Sequence, residues 1–215
     1  MHLSIYLIRH GETLFNQFNK MQGWSDTPLL DSSKLKAKNL GESFHGIALD
    51  AVYSSDSGRV LQTRDAFLSG YAKPVPLTVD ERLREMYFGH YEGDDVTGLW
   101  TSMAAKEGFS SFDQYKYGVD VVTRCGTLSN YDELAESEAD LRQRASLSLD
   151  DIVKSAVKNK KQNIVIVSHG LTILTLLKIA GVEEEFHQSL HNLSVSKLIV
   201  DDALRCEYYG EAKPL

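Results

Sequence analysis

The sequence contains little cysteine, and this shortage limits the compartment and the metal chemistry to be expected. Its two cysteines among 215 residues, Cys125 and Cys206, are too few for a disulfide framework. Neither belongs to a CxxC pair or to a Cys/His cluster with metal-ligand spacing. We therefore expect a protein of the reducing cytoplasm without a structural metal.

Net positive charge is also lacking. The chain carries 30 acidic and 23 basic side chains, which gives a net charge of -7 at pH 7. The field of such a protein repels polyanions at long range, so we expect neither a nucleic acid nor an anionic membrane as a partner. Any site for a phosphate group must then be built locally.

Long apolar runs are missing as well. The opening stretch MHLSIYLIRHGE has too short an apolar run for a signal peptide and no small-residue cleavage site, so we interpret it as a first strand. The stretch LTILTLLKIAGV is interrupted by Lys178 and is shorter than the roughly 20 residues of a membrane span. These features indicate a soluble protein.

Several common site motifs are absent too. The chain has no GxxxxGKS or GxxxxGKT loop for nucleotide triphosphates and no GxGxxG after its first strand. It also has no GxSxG, which argues against a serine hydrolase. No tandem repeat or low-complexity tract is visible.

What the sequence does contain is enough apolar material, 42% of its residues, for a full core in a single domain spanning 1–215. Short apolar runs alternate with helical patterns, which predicts an α/β protein with a mostly parallel sheet covered by helices. Asp201 to Ala203 would form a hairpin loop between the last two strands. The predicted strands are 4–8, 51–54, 75–79, 163–167, 195–200 and 204–209.

The first long helix is predicted to start near residue 32. Asp31 can cap its amino end and Gly46 can end it. Its expected apolar stripe consists of Leu35, Leu40 and Phe44.

Two further helices are predicted from apolar spacing. One runs from about residue 57 to 68 and stops at Gly70, and the longest covers about 131–158, with Leu134 as the first member of its apolar stripe. Between them, residues 94–130 mix aromatic side chains with Gly, Ser and Asp and show no strand signal. We interpret this segment as a lid inserted over the site; the alternative is a mobile surface excursion without a catalytic part.

The sequence has one internal similarity, between IYLIRHGETL near the start and IVIVSHGLTI at 164–173. Each is an apolar strand that ends in His-Gly before a helical stretch. If the two strands are parallel neighbours, their carboxyl ends coincide, and ligand sites of open α/β sheets form there. His10 and His169 would then face one another. Alternatively, each His-Gly is a strand-to-helix turn with an exposed imidazole.

Charged side chains near other strand ends extend this hypothesis. Arg59, in SSDSGRVLQTRDAF, lies on the first turn of a helix, and with Arg9 it could grip a phosphate or carboxylate; alternatively it is a surface residue. Glu85, in LREMYFGHYEG, could stay protonated near phosphate and donate to a leaving oxygen. The alternative for Glu85 is an ion pair with Arg82 or Arg84.

These segments together resemble the histidine phosphatase superfamily, also called the phosphoglycerate mutase-like family. The resemblance covers nearly the whole chain and rests on RHGETLFN, QGWSDTPL, SSDSGRVLQT, LREMYFGHYEG, SHG and NLSVSKL. It implies a three-layer α/β/α sandwich with a mostly parallel central sheet of about six strands, helices on both faces and an inserted lid.

The resemblance also implies roles for individual residues. His10 becomes the phosphohistidine, Arg9, Arg59 and His169 clamp the phosphoryl group, and Glu85 is the general acid. The carbonyl of Gly11 would hold the far nitrogen of His10. The positive charges of Arg9 and Arg59 favour the neutral imidazole that can attack. The residues expected to line the phosphate pocket are Gly11, Asn16, Gln22, Gly23 and Gly170.

Within this family the reaction stays open between hydrolysis and transfer. A cofactor-dependent mutase typically has a longer insertion with an adjacent arginine pair, whereas this insertion offers only the separated Lys106, Lys116 and Arg124. We therefore expect a metal-independent phosphatase without a cofactor, acting on a small phosphate ester. A mutase is the alternative, and a phosphate-binding module without catalysis is disfavoured because His10 and His169 are present.

Other features of the sequence leave the assembly and the remaining histidines open. A monomer and a homodimer are both compatible with the acidic surface and the final hairpin. The histidines outside the motifs are interpreted as surface or packing residues: His2, His45, His90, His187 and His191.

Overall fold

Six strands form one sheet within residues 2–215, which are the residues that the computed structural model describes. They are β1 Leu3–Arg9, β2 Ala51–Ser54, β3 Leu77–Val79, β4 Asn163–Ser168, β5 Val195–Val200 and β6 Leu204–Glu211. Their order across the sheet is β3-β2-β4-β1-β5-β6. The pairs β3/β2, β2/β4 and β4/β1 are parallel, whereas β5 and β6 are antiparallel. The predicted, mostly parallel sheet is confirmed.

Helices cover both faces of this sheet. They are α1 Leu14–Gln17, α2 Asp31–Ser43, α3 Gly58–Tyr71, α4 Val96–Lys106, α5 Phe112–Gly118, α6 Val121–Gly126, α7 Glu138–Lys158 and α8 Gly170–Ile179. Side chains alternate along β1, so that Tyr6 and Ile8 pack with α2 and α3, while Ile5 and Leu7 pack with α7 and α8. The three-layer sandwich is confirmed. No helix in residues 2–215 is long and apolar enough to cross a membrane.

Strand β3 is shorter than predicted. It begins at Leu77 instead of Val75, and it lies at the edge of the sheet. Pro74 and Pro76 flank Val75, and a proline has no N–H to donate to a neighbouring strand. The ladder therefore starts after the second proline.

Helix α2 differs from its prediction at both ends and in its buried face. Asp31 is its first residue and makes no cap, because Leu30 occupies the N-cap position, and the helix ends at Ser43, before Gly46. The buried side chains are Ser33, Ala37, Leu40 and Gly41. Leu35 is 60% exposed, since it lies about 200° around the helix from Ser33.

The prediction that α3 stops at Gly70 is wrong, because Gly70 lies within the helix. A Cβ on Gly70 would lie 1.9 Å from the Lys38 carbonyl oxygen, and one on Gly41 would lie 1.9 Å from the Phe67 carbonyl oxygen. The two glycines therefore allow α2 and α3 to approach at backbone distance. Helix α3 ends at Tyr71, before Ala72 in a left-handed conformation with φ of 56°.

The predicted start of the longest helix near residue 131 is wrong. Helix α7 begins at Glu138, because Ser137 and Asp140 form a capping box in which each side chain accepts a hydrogen bond from the other residue's backbone N–H. Leu134, assigned to the apolar stripe, precedes the helix and is 50% exposed.

The segment 94–130 is a helical insertion packed on the α7 and α8 side of the sheet. It contains α4, α5, α6 and a 3-10 helix, Thr127–Asn130. Trp100, Met103 and Tyr115 are buried in the same hydrophobic cluster as β1 and α8. Because these side chains are buried in the core, the segment is not a mobile surface excursion. Its function as a lid over the site stays a prediction.

Candidate active site

The two His-Gly elements meet at one end of the sheet. Strands β1 and β4 pair in parallel with Arg9 opposite Ser168, so His10 and His169 follow at equivalent positions. The backbone N–H of His10 donates to the Ser168 carbonyl at 2.9 Å. The imidazole rings lie with centroids 5.3 Å apart, and both residues are buried. The alternative of two separate turns with exposed imidazoles does not hold.

The ring of His10 has different neighbours at its two nitrogens. Nδ1 lies 2.7 Å from the Gly11 carbonyl oxygen, to which it can only donate. Nε2 accepts from Arg59 Nε at 3.3 Å. Burial, and then the charges of Arg59 and Arg9, lower the pKa of His10 well below its ordinary value. His10 is therefore a neutral imidazole whose Nε2 carries a lone pair.

Arg59 connects both histidines. Its fully buried guanidinium donates from Nη2 to His169 Nδ1 at 2.9 Å and to the Gly23 carbonyl at 2.7 Å. From Nη1 it donates to the Ser25 carbonyl and to Asp26 Oδ1, both at 2.9 Å. Arg59 is thus not a surface residue. A bound phosphate would have to accept hydrogen bonds from Arg59 Nε and Nη2, which here donate to the two imidazoles.

His169 is held on its other side by a serine. Because Nδ1 accepts from Arg59, the ring proton lies on Nε2, which is 2.8 Å from Ser55 Oγ. Burial, and then the charges of Arg59 and His10, lower the pKa of His169 well below its ordinary value. His169 is therefore also neutral.

Arg9 lies beside this cluster with part of its guanidinium unused. Nη1 donates to the Leu190 carbonyl, whereas Nε is buried without a hydrogen-bond partner among the described residues. Burial lowers the pKa of Arg9 to about 10, although Glu85 acts in the opposite direction. Arg9 thus stays positive at neutral pH, with a donor left to offer.

Glu85 lies against the amino end of α8. Its Oε1 accepts hydrogen bonds from the backbone N–H groups of Met86 and Thr172, at 3.0 and 3.2 Å. The Thr172 hydroxyl lies 3.3 Å from Oε1 but donates to the Arg84 carbonyl at 2.7 Å. Glu85 Oε2 accepts only one hydrogen bond, from Leu171 N at 3.0 Å. The alternative ion pairs are not formed, because Arg82 pairs with Asp80 and Arg84 with Asp56.

The two amides predicted to line the phosphate pocket, Asn16 and Gln22, form hydrogen bonds with other residues of the protein. Asn16 Oδ1 accepts from Thr13 N at 3.2 Å and Asn192 Nδ2 at 3.4 Å. Gln22 accepts from Thr13 Oγ1 at 2.6 Å and donates to Thr27 Oγ1 at 3.1 Å. They are not free surface amides, and their contact with phosphate stays a prediction.

The glycines of the predicted site are places of close approach. A Cβ on Gly23 would lie 2.2 Å from the Met86 carbonyl oxygen, and one on Gly170 would lie 1.9 Å from Ser189 Oγ. Gly11 donates its N–H to Thr63 Oγ1 at 2.9 Å, and a Cβ there would lie 2.6 Å from Ser33 Oγ. Larger residues at these positions would displace the walls of the site.

Sequence reasoning missed several supporting residues. Glu92 accepts hydrogen bonds from the backbone N–H groups of Gly23, Trp24 and Ser25, at 2.8 to 3.1 Å, and so holds the loop under Arg59. Asp26 pairs with Arg59. Asp26 lies in QGWSDTPL and Glu92 in LREMYFGHYEG. Both segments carry the family resemblance, and this was the only sequence signal that could have indicated the two acids.

Known proteins are similar to this chain over most of its length. The sequence profile described as "Histidine phosphatase superfamily (branch 1)" matches residues 5–206. A protein of Erwinia tasmaniensis named "Probable phosphoglycerate mutase GpmB" is 31% identical over 199 residues, which are 91% of this chain and 84% of the relative. "Putative phosphoserine phosphatase 2" of Hydrogenobacter thermophilus is 29% identical over 198 residues, 90% of this chain and 88% of the relative.

A solved structure is similar over the same length. The crystal structure of phosphoglycerate mutase from Bacillus anthracis str. Sterne superposes with a TM-score of 0.91 at 28% sequence identity. The superposition covers 98% of this chain and 94% of that one. The fold and the order of its elements are therefore shared with this relative.

Proposed function

We propose that this chain, which belongs to the histidine phosphatase superfamily, is a metal-independent phosphomonoesterase that acts on a small phosphorylated metabolite through phosphohistidine. The observation that carries the proposal is the state of His10. Its Nδ1 is held by the Gly11 carbonyl, and its Nε2 lone pair faces the guanidinium of Arg59. A neutral, oriented imidazole beside fixed cations is what attack on a phosphate ester requires.

In the first step, His10 Nε2 attacks phosphorus and the bond from phosphorus to the ester oxygen breaks. The donors of Arg59 turn from the imidazoles to the equatorial oxygens, and Arg9 Nε supplies a further donor. Fixed cations lower the barrier because charge spreads over these oxygens in the transition state. The products of this step are phosphohistidine and the leaving alcohol.

Glu85 gives the departing oxygen its proton. Oε2 is the oxygen suited to this, because it accepts one hydrogen bond while Oε1 accepts two from backbone N–H groups. In the second step the Glu85 carboxylate takes a proton from the water that attacks phosphohistidine. Inorganic phosphate then leaves, and His10 and Glu85 return to their starting forms.

Hydrolysis, rather than transfer to a second substrate oxygen, is supported by Arg124. It is the one arginine of the insertion, it is 4% exposed, and its guanidinium donates to the carbonyls of Lys116 and His187 at 2.9 and 3.1 Å. A buried guanidinium whose two Nη atoms are held by main-chain carbonyls is not free to turn toward the carboxylate of a phosphoglycerate, although its Nε has no partner among the described residues.

Phosphoglycerate mutase activity is the second candidate. It is favoured by the names of the Erwinia relative and of the Bacillus anthracis structure. A phosphate-binding module without catalysis is a third and weaker candidate, because His10, Glu85 and His169 are all present and both histidines contact Arg59.

One assay separates these functions. The protein is incubated in EDTA with p-nitrophenyl phosphate, and with 3-phosphoglycerate with and without 2,3-bisphosphoglycerate, while inorganic phosphate and 2-phosphoglycerate are followed. Phosphate release that disappears in His10→Ala supports the phosphatase. Bisphosphate-dependent formation of 2-phosphoglycerate with little phosphate release would identify a mutase, and binding without turnover would identify a module.

A further inference from the structure

Five polar side-chain atoms are buried without a hydrogen-bond partner among the described residues. They are Arg9 Nε, Ser189 Oγ, His187 Nδ1, Arg124 Nε and Ser194 Oγ. A buried polar group without a partner is costly, and its presence in a native protein calls for an explanation such as a role in ligand binding. Three of these atoms, on His187, Ser189 and Ser194, lie in the segment between α8 and β5.

Ser189 and Arg9 flank the same point. The position that a Cβ on Gly170 would take lies 1.9 Å from Ser189 Oγ and 3.4 Å from Arg9 Nε. Gly170 directly follows His169, so the serine hydroxyl lies beside the residue after His169. Arg9 also donates from Nη1 to the carbonyl of Leu190, the residue after Ser189.

A surface cavity of about 350 Å³ lies beside Ser189 and Leu190. Ser189, His187 and Leu190 form part of its wall, and Tyr117 of the insertion stands at its edge. The Tyr117 side chain is 61% exposed and its ring meets that of His187 at 5.7 Å between centroids. The cavity is therefore bordered by an accessible aromatic ring, while the Ser189 hydroxyl and His187 Nδ1 are buried behind its wall.

The wall of this cavity carries negative charge. Glu184 and Glu185 line it, and no lysine or arginine does so among residues 2–215. A carboxylate or a second phosphate held there would meet negative charge, whereas hydroxyl groups would find partners in Ser189 and His187.

We infer that this cavity binds the leaving alcohol of the substrate and selects an uncharged, hydroxyl-bearing one, such as a polyol or a sugar. The inference rests on the proposed phosphatase function. The phosphate lies at Arg9, Arg59 and the two histidines. The alcohol extends past Gly170, hydrogen-bonds to Ser189 and His187, and packs its carbon skeleton on Tyr117.

A matched pair of three-carbon esters tests the charge selection. Glycerol 3-phosphate and 3-phosphoglycerate differ in having a hydroxymethyl or a carboxylate group at the far end. We expect kcat/KM for phosphate release to be at least about fivefold higher for glycerol 3-phosphate, as one unfavourable charge contact is worth about this much. Equal values, or a preference for 3-phosphoglycerate, would overturn the inference.

Two exposed glutamates provide a variant and its control. Glu185→Lys places a cation in the cavity and should shift the preference toward 3-phosphoglycerate by about fivefold or more. Glu183→Lys makes the same change in charge two residues away, outside the cavity wall, and should shift it far less. Equal shifts in both variants would show a general field effect and overturn the local assignment.

Ser189→Ala tests the hydroxyl contact. Because Ser189 Oγ has no partner among the described residues, its removal should not harm folding. We expect kcat/KM to fall about five- to tenfold for glycerol 3-phosphate and by less than about twofold for propyl phosphate, which lacks the hydroxyls. Ser102→Ala, on the exposed face of α4, should change neither value. Equal losses on both esters would contradict the contact.

The failure of this inference can be told apart from failure of the proposed function. Every variant is first assayed with p-nitrophenyl phosphate in EDTA. Activity there, together with no discrimination between the matched esters, overturns only the leaving-group assignment. Absence of His10-dependent phosphate release from every ester overturns the proposed function itself.

Discussion

Arg59 Nη2 donates to Nδ1 of His169 at 2.9 Å. This contact places the ring proton of His169 on Nε2, toward Ser55. Nε of the same guanidinium donates to Nε2 of His10 at 3.3 Å. One arginine therefore contacts both imidazoles, and its charge adds to burial in lowering the pKa of each.

Replacing Arg59 should remove most of the activity. Arg59→Ala loses the cation that the transition state needs, and we expect kcat to fall by about 10² to 10⁴. Arg59→Lys keeps the charge but cannot reach Asp26, Gly23 and both histidines together, so it should recover only part of the loss. Steady-state kinetics on p-nitrophenyl phosphate measure this, with circular dichroism to verify folding. Wild-type kcat in a folded Arg59→Ala would contradict the assigned role.

Arg124 should matter for stability more than for turnover. It is buried beside Trp100 and Tyr115 and donates to main-chain carbonyls. Arg124→Ala should lower the free energy of unfolding by about 3 kcal/mol, measured by denaturant titration. We expect kcat to change by less than about threefold, while Lys106→Ala should affect neither quantity. A large loss of kcat at unchanged stability would instead favour a substrate-binding arginine and the mutase.

The buried neutral histidines should make stability depend on pH. The pKa values of His10 and His169 are lowered in the folded protein, so between those values and about 6.5 the unfolded chain binds more protons. The free energy of unfolding should fall by about 1.4 kcal/mol per pH unit for each histidine as the pH drops below 6.5, and these residues add no slope above it.

The histidine contribution is isolated with a variant. His10→Asn should reduce the slope of stability against pH between 6.5 and 5.5 by about one proton. Urea titrations at several pH values give both slopes. An identical slope in the variant would mean that folding does not lower the pKa of His10.

Gly70 tests the contact between α2 and α3. Its Cβ would lie 1.9 Å from the Lys38 carbonyl oxygen, so Gly70→Ala must separate the helices and should cost about 2 to 4 kcal/mol. Gly46 has open space where a Cβ would lie, with no atom within 4 Å, and Gly46→Ala should change the free energy of unfolding by less than about 0.5 kcal/mol. Similar costs at both positions would contradict the packing argument.

The meeting of His10 and His169 could be predicted because it depends on local patterns and one general rule. Two apolar strands ending in His-Gly, placed side by side in parallel, must bring their carboxyl ends together. The sheet followed from the same alternation of apolar runs and helical patterns. Resemblance to a family supplied Glu85 and the arginine clamp.

The remaining features depend on contacts between distant segments. Leu35 fits an apolar stripe by spacing, but Ser33, Ala37, Leu40 and Gly41 form the face that packs. The partners of Arg59 and the unpartnered hydroxyl of Ser189 arise only when loops from different parts of the chain meet. No periodicity in the sequence encodes such contacts.

Detection of phosphohistidine tests the central claim most directly. The protein is mixed with p-nitrophenyl phosphate in EDTA, quenched in alkali within milliseconds, digested, and analysed by mass spectrometry. We predict acid-labile phosphate on the peptide that carries His10, formed and lost at rates compatible with turnover and absent from His10→Ala. Turnover with no phosphate on His10, or with phosphate on another residue, would contradict the account.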